Sequence, residues 1–406
     1  MNNSSNDEFC SAYVTYNSQS LLLNLKDPSN LLSFDLPRIH LQLAFIFILT
    51  HFLHYFLFRR ILMPIVVSQI MAGIILGPMI LGRIRGFEEK WFPVSGELFL
   101  DYLSRMGFIF FIFSWGVKMD PKMILKTGRR GWIVGVSVTV LPTISGFILL
   151  KHFQKSTNIK KWKTITYVVS TNSYVSLPMV ASALVQQQII NTELGHLALS
   201  SGLITNLINI LFTTIVYSLR QVDLFSKLQY FGAYGFLLLV IVIIVRPLSY
   251  WIIKQTPGTK PVNSLFVIMM WILVFATVIL ADHIGVPHEL AAFLFGLIGV
   301  PDGPPLGSSL VQKLETLVDG LLAPLMVSYC GTKVNIGHYH DLKYIGTLWI
   351  LVGCCLVIKV VSLLLPALVV KVPPRDTVTL AFIMSSQGIV QISSHLFLLT
   401  VEVQCC

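Results

Sequence analysis

The sequence predicts an all-α polytopic membrane protein, and three observations carry that prediction. Hydrophobic residues make up 54% of the 406-residue chain and charged ones only 12%, with a mean hydropathy of +0.75. A soluble domain is roughly a quarter charged, so this much apolar surface needs lipid as its solvent. Apolar runs near 20 residues, about the length that crosses a bilayer as a helix, recur from residue 37 to residue 400. These runs are continuous and rich in Ile, Leu, Val and Phe, whereas a membrane barrel would show short alternating segments.

In chain order the spans fall near 37–58, 61–82, 98–117, 131–150, 164–188, 194–218, 231–253, 264–283, 287–300, 311–331, 344–371 and 376–400, about twelve in all. The span at 287–300 is short, and 311–331 is amphipathic because it carries Lys313, Glu315 and Asp319. The linkers are brief, so the reading is a polar tail over 1–36, a membrane domain over 37–400 and a short tail over 401–406. No signal-peptide core precedes the first span. The net charge of +10 fits basic loops at a membrane surface better than nucleic-acid binding. Basic residues are nearly balanced between alternate loops, so charge alone does not choose an orientation. The six cysteines support no disulfide framework.

Two spans read as interrupted helices. The fifth, "TYVVSTNSYVSLPMVASAL", gathers Ser170, Thr171, Asn172, Ser173 and Ser176 before Pro178. The twelfth, "TLAFIMSSQGIVQISSHLFLL", holds Ser385, Ser386, Gln387 and Gly388 at its middle. Backbone freed inside a membrane is tolerated only where protein or a water-filled cavity satisfies it. Interrupted helices paired across the two halves of a chain point to a transporter's ion site. The plainer alternative is that proline and serine kink two packed helices.

The ionisable residues weigh unevenly. Lys359, in "CCLVIKVVSLLL", is the clearest intramembrane charge, either coupled to protons or pairing structurally. Arg246 precedes a proline and reads as a snorkelling or packing residue. Asp282, His283, His288 and Glu289 flank a short loop and read as solvated. Glu315 and Asp319, four apart, read as a wet surface or subunit contact. His51, His54 and His395 read as neutral, hydrogen-bonded residues on apolar helices. No His/Cys spacing makes a fixed metal site, and no P-loop, nucleophile elbow or dinucleotide fingerprint is present. The reading is a secondary transporter without cofactors, not an enzyme.

The stretches "PIVVSQIMAGIILGPMILGR" (64–83), "MGFIFFIFSWGVKMDPKMILKTGRR" (106–130), "INTELGHLALSSGLITNL" (190–207) and "GLIGVPDGPPLGSSLVQKLETLVDGLLAPLMVSYCGTKVNI" (296–336) resemble the plant cation/proton exchanger family, a branch of the monovalent cation:proton antiporter-2 group. The resemblance implies a sodium/proton-antiporter fold with inverted repeats and two broken crossing helices. About twelve of the usual thirteen helices are then present, so the chain reads as C-terminally truncated. It further implies exchange of K⁺, or of Na⁺, for protons by alternating access in an endomembrane or plasma membrane. Potassium and pH homeostasis and pairing as a homodimer, or with a related exchanger, belong to the same expectation. The ion pathway would then involve Thr171, Asn172, Thr205, Asn206, Lys359 and Gln387.

This chain departs from the family pattern where the charge should be. The family's Asn-Asp pair is Thr205-Asn206 here, and its Lys-Gly-Leu-Val-Glu is Gln387-Gly388-Ile389-Val390-Gln391. Asn206 can coordinate a cation through its carbonyl but cannot exchange a proton. Three readings therefore stand: an exchanger, a transport-dead protein acting through association with intact relatives, and a cation leak uncoupled from protons.

Overall fold

The computed structural model describes residues 35–61, 65–92, 94–156, 175–220, 224–256, 262–301, 305–334, 342–369, 373–386, 388 and 391. All regular structure among them is helical. The helices are α1 (Asp35–Leu53), α2 (Ile65–Leu76), α3 (Phe87–Trp91), α4 (Val94–Lys118), α5 (Lys122–Ser156), α6 (Leu177–Gln186), α7 (Glu193–Arg220) and α8 (Leu224–Val240). They continue as α9 (Arg246–Gln255), α10 (Ser264–His283), α11 (His288–Leu294), α12 (Leu306–Leu317), α13 (Ala323–Thr332), α14 (Leu342–Val369) and α15 (Pro374–Ser385). Among the described residues, six stretches are long and apolar enough to cross a membrane: 37–58, 65–83, 127–152, 193–212, 231–255 and 264–283. Shorter apolar helices cover 288–299 and 349–364.

Local chemistry explains where these helices bend. Widened π turns at Ile241–Val245 and Val318–Leu322 lead directly into Arg246-Pro247 and Ala323-Pro324. A proline ring collides with the carbonyl four residues earlier and supplies no N–H. A wider turn at that point relieves the collision without ending the rod. In α5 the break is at Gly128, whose φ of 59° and ψ of −146° favour a residue without a Cβ. The membrane-spanning part of α5 begins at this kink, close to the 131 expected from sequence.

Contacts divide the chain into two compact units, 1–108 with 316–338 and 109–315 with 339–406. In the first, α13 lies against α2 and also meets α1. Glycines permit the α2–α13 approach: a Cβ on Gly331 would sit 2.6 Å from the Ile70 carbonyl oxygen, and one on Gly77 2.8 Å from that of Thr332. The Ser328 hydroxyl donates across the same seam to the Gln69 carbonyl at 3.0 Å. Gly331→Leu should therefore force two backbones apart. The expected loss is about 1–3 kcal/mol, read as a lower unfolding midpoint of the purified protein, and an unchanged midpoint would refute the seam.

The second unit holds the elements of the expected ion pathway. Within it α7 packs along α5, α14 packs on α5 and α15, and α15 touches both α6 and α7. Val134 and Val138 of α5, Val180 of α6, Ala198 of α7, Leu363 of α14 and Met384 of α15 are buried in one apolar cluster. In the same unit α4 meets the end of α11 and the π turn Phe295–Gly299 that follows it, at Gly116 and Gly296, where added Cβ atoms would lie 2.5 Å from the Phe293 carbonyl oxygen and 2.6 Å from that of Phe113.

Candidate functional site

One side of each interruption expected in the fifth and twelfth spans lies among the described residues. Ser176 precedes α6 in extended backbone (φ −84°, ψ 99°), with Pro178 in the first turn. Proline favours that position because the first-turn N–H has no helical partner. At the other end of the chain α15 stops at Ser385, and Ser386 is extended (φ −61°, ψ 133°). The two interruptions meet: a Cβ on Gly388 would overlap the side chains of Ser176 and Met179. Gly388 and Ser176 are both buried. Here the N-terminus of α6, with its outward N–H groups, lies beside the carbonyl end of α15. Opposite helix-end partial charges at one place can accommodate an ion without a fixed countercharge.

Gln391 has a structural part in this crossing. The Gly388 N–H donates to Gln391 Oε1 at 3.0 Å, and the Gln391 N–H donates to the Gly388 carbonyl at 3.1 Å. The Gln391 side chain thus makes the back-reaching half of a capping box, across a turn closed by the backbone bond. An amide in place of a carboxylate keeps the cap and drops the charge. Ser176 makes no cap, and its buried Oγ has no hydrogen-bond partner among the described residues.

Helix α7 lines the unit beside the crossing. The Ser201 hydroxyl lies 2.6 Å from the Leu197 carbonyl and 3.5 Å from Met384 Sδ of α15. Thr205 is fully buried, its Oγ1 within 2.9 Å of the Ser201 carbonyl and 3.2 Å of the Gly135 carbonyl of α5. Asn206 is half-buried beside it. Lys359 is 0% exposed on α14, and its carbonyl accepts the Ser362 hydroxyl at 2.7 Å. Thr205, Asn206 and Lys359 thus share one unit, on helices with α5 and α15 as common neighbours. The other expected pathway residues, Thr171, Asn172 and Gln387, lie outside the described residues.

The five helices α5, α6, α7, α14 and α15 carry acidic residues only in first turns, Glu193 and Asp376. Apart from the thiols of Cys354 and Cys355, Lys359 is the one ionisable side chain placed well inside any of them. Sequence reasoning passed over Asn209, which is 7% exposed on α7 with both amide atoms lacking a partner among the described residues. Its type and its place one turn after Thr205 were the available signal.

Elsewhere the expectations divide. Glu315 is exposed and ion-paired with Lys118 at 3.1 Å, while Lys313 donates to Ser264 Oγ at 3.0 Å, a wet surface as expected. His288 is not solvated: its side chain is 16% exposed and sits 3.3 Å from both Asp282 and Glu289. The loop folds back so that one imidazole bridges two carboxylates, which residue spacing alone does not reveal. His54 is hydrogen-bonded to Ser68 Oγ at 3.2 Å, whereas His51 is exposed and reaches the Phe47 carbonyl of its own helix. His395 lies outside the described residues.

Comparisons with known proteins fit this geometry. The chain is 30% identical over 365 residues to Cation/H(+) antiporter 15 of Arabidopsis thaliana, covering 89% of this chain and 44% of that one. It is 27% identical over 400 residues to Cation/H(+) antiporter 9 of the same plant, covering 95% and 50%. The chain thus spans about half the length of these curated relatives. A sodium proton antiporter from Methanocaldococcus jannaschii has a similar fold, with a TM-score of 0.63 at 13% identity over 88% of this chain and 84% of that one. The family model for the transmembrane sodium/hydrogen exchangers matches residues 47–400. With that match over most of its length, this multi-pass integral membrane chain belongs to the sodium/hydrogen exchanger family.

Proposed function

We propose that the chain is a monovalent cation/proton antiporter of a plant membrane, working by alternating access, with K⁺ as its first substrate and Na⁺ as its second. The observation that carries the reading is the meeting of Ser176 and Gly388 where two interrupted helices cross. Polar backbone brought together inside a membrane domain has a use if an ion is held there. The ion pathway runs past Thr171, Asn172, Thr205, Asn206, Lys359 and Gln387. A role in potassium and pH homeostasis follows from such exchange.

Proton coupling falls to Lys359 in this proposal, because the helices around the crossing carry no carboxylate beyond their first turns. An ammonium within roughly 6 Å of a bound cation, at an effective dielectric near 20, would repel it by about 3 kcal/mol. That is about a hundredfold in affinity. The protonated lysine then expels the cation and the neutral amine admits it, so cation binding should strengthen as pH rises. Lys359→Met should flatten the pH dependence of flux. An unchanged pH profile would make Lys359 a packing residue.

The experiment is cation-driven collapse of a pH gradient in proteoliposomes holding the full chain, with K⁺ and Na⁺ tested separately against empty vesicles. Saturable proton movement supports exchange. No movement from folded, inserted protein would support a second reading, favoured by the amide at Asn206: a transport-dead chain associating with intact relatives as a homodimer or heterodimer.

A further inference from the structure

Asn209 is the feature that the crossing leaves unexplained. Burying an amide without partners is costly in proteins, and Asn209 lies in the membrane-crossing part of α7 with both side-chain polar atoms unpartnered among the described residues. It follows Thr205 by four residues, so the two share a face of α7. Helices α5 and α7 run side by side in parallel register. A Cβ on Gly131 would meet Ser200 Oγ, one on Gly135 would meet Ile204, and Thr205 Oγ1 reaches the Gly135 carbonyl. Carried one turn further, that register sets Val138 and Thr139 at the level of Asn209.

This level is rich in acceptors and poor in donors. Pro142 has no N–H, so the Val138 carbonyl lacks its donor four residues on. The Thr139 hydroxyl donates to the Gly135 carbonyl at 3.0 Å, and that of Thr143 to the Thr139 carbonyl at 2.6 Å. Thr205 is likewise directed at carbonyls, those of Gly135 and Ser201. The hydroxyl protons are thus committed, leaving oxygen lone pairs, and the Asn209 Nδ2 is the remaining side-chain donor among these groups. A set of neutral oxygens suits a hard monovalent cation and not an anion.

We propose that Asn209, with Thr205, Thr139 and the Val138 carbonyl, forms a coordination shell for a dehydrated monovalent cation. Asn209 lies about 6 Å along α7 from Thr205 and about 12 Å from Ser201, at 1.5 Å per residue. Helix α7 meets α6 at Gly202, where a Cβ would lie 2.9 Å from Leu177, and Asn209 is two turns further along, so the shell is a further station on α7 beyond the Ser176–Gly388 crossing. It rests on the exchanger reading and adds a binding residue that titrates nothing, so it holds a cation at any pH while Lys359 sets the coupling.

The test is equilibrium binding of radioactive rubidium and sodium to the purified full chain, beside thermal unfolding with and without each cation, for the parent and for Asn209→Leu. The shell predicts that Asn209→Leu lowers cation affinity at least about tenfold and abolishes cation-induced stabilisation. It also predicts a raised unfolding midpoint without cation, since an unpartnered amide has been replaced by an apolar side chain. Parental binding in Asn209→Leu would overturn the shell and leave the exchanger reading intact. A lower midpoint without cation would also overturn it, because the amide would then be bonded within the fold. No binding by a folded parent would remove the exchanger reading and the shell together.

Discussion

Gly388→Val should abolish cation-driven proton flux and lower the unfolding midpoint of the purified protein. Gly388 is buried where the two interruptions cross, and any Cβ there overlaps the side chains of Ser176 and Met179 and comes within 3.0 Å of Ser176 Cβ. A small shift of Gly388 does not relieve the overlap freely, because its N–H is held by Gln391 Oε1 at 3.0 Å. Overpacking of this kind costs about 1–3 kcal/mol, and loss of the capping bond adds roughly 1 kcal/mol. Together these are a sizeable part of the roughly 5–15 kcal/mol by which folded proteins are stable. Flux is expected to fail before folding does, since a β-branched side chain occupies the place where an ion would meet the helix ends. Proteoliposome flux and thermal unfolding measured on one preparation check both halves. Parental flux in the valine variant would show that the crossing is not on the ion path.

Asn206→Asp should steepen the pH dependence of exchange by adding a second proton-binding group. The two side chains have nearly the same shape, so the half-buried position on α7 tolerates the change, and the difference is a proton-binding charge. At about 4 Å and an effective dielectric near 20, a carboxylate attracts a monovalent cation by about 4 kcal/mol, roughly a thousandfold in affinity before desolvation is subtracted. The sign is fixed by protonation. The aspartate binds the cation when ionised and releases it on taking up a proton, so cation affinity falls as pH falls. The variant should therefore show a steeper pH profile than the parent in the gradient-collapse assay. Identical flux at every pH would place the ion site away from Asn206.

Much of the architecture was legible in the residues. Twenty-residue apolar runs have to become helices in lipid, since only helices or closed barrels satisfy the backbone there. Membrane helices were therefore foreseeable, as was the interruption at Ser385-Ser386. Lys359 was conspicuous because a charge in an apolar run is expensive and so has a reason to be there. Gln391 was foreseeable only as a lost charge. Its work as a cap depends on the turn that Gly388 makes, and that turn is a matter of coordinates. The fold-back that sets His288 between two carboxylates was invisible for the same reason.

By itself, then, the sequence determined the solvent, the helical class, the exchanger resemblance and the absence of a carboxylate at Thr205-Asn206, because composition and local periodicity are properties of one stretch at a time. The tertiary structure decided which stretches face one another. Ser176 and Gly388 are more than 200 residues apart and yet in contact, and α5 and α7 pack in parallel, Gly131 against Ser200 and Gly135 against Ile204. Such pairings are settled by close packing at glycines and by where freed carbonyls and hydroxyls can be satisfied. Those are many-body conditions of the folded unit, and no single segment carries them.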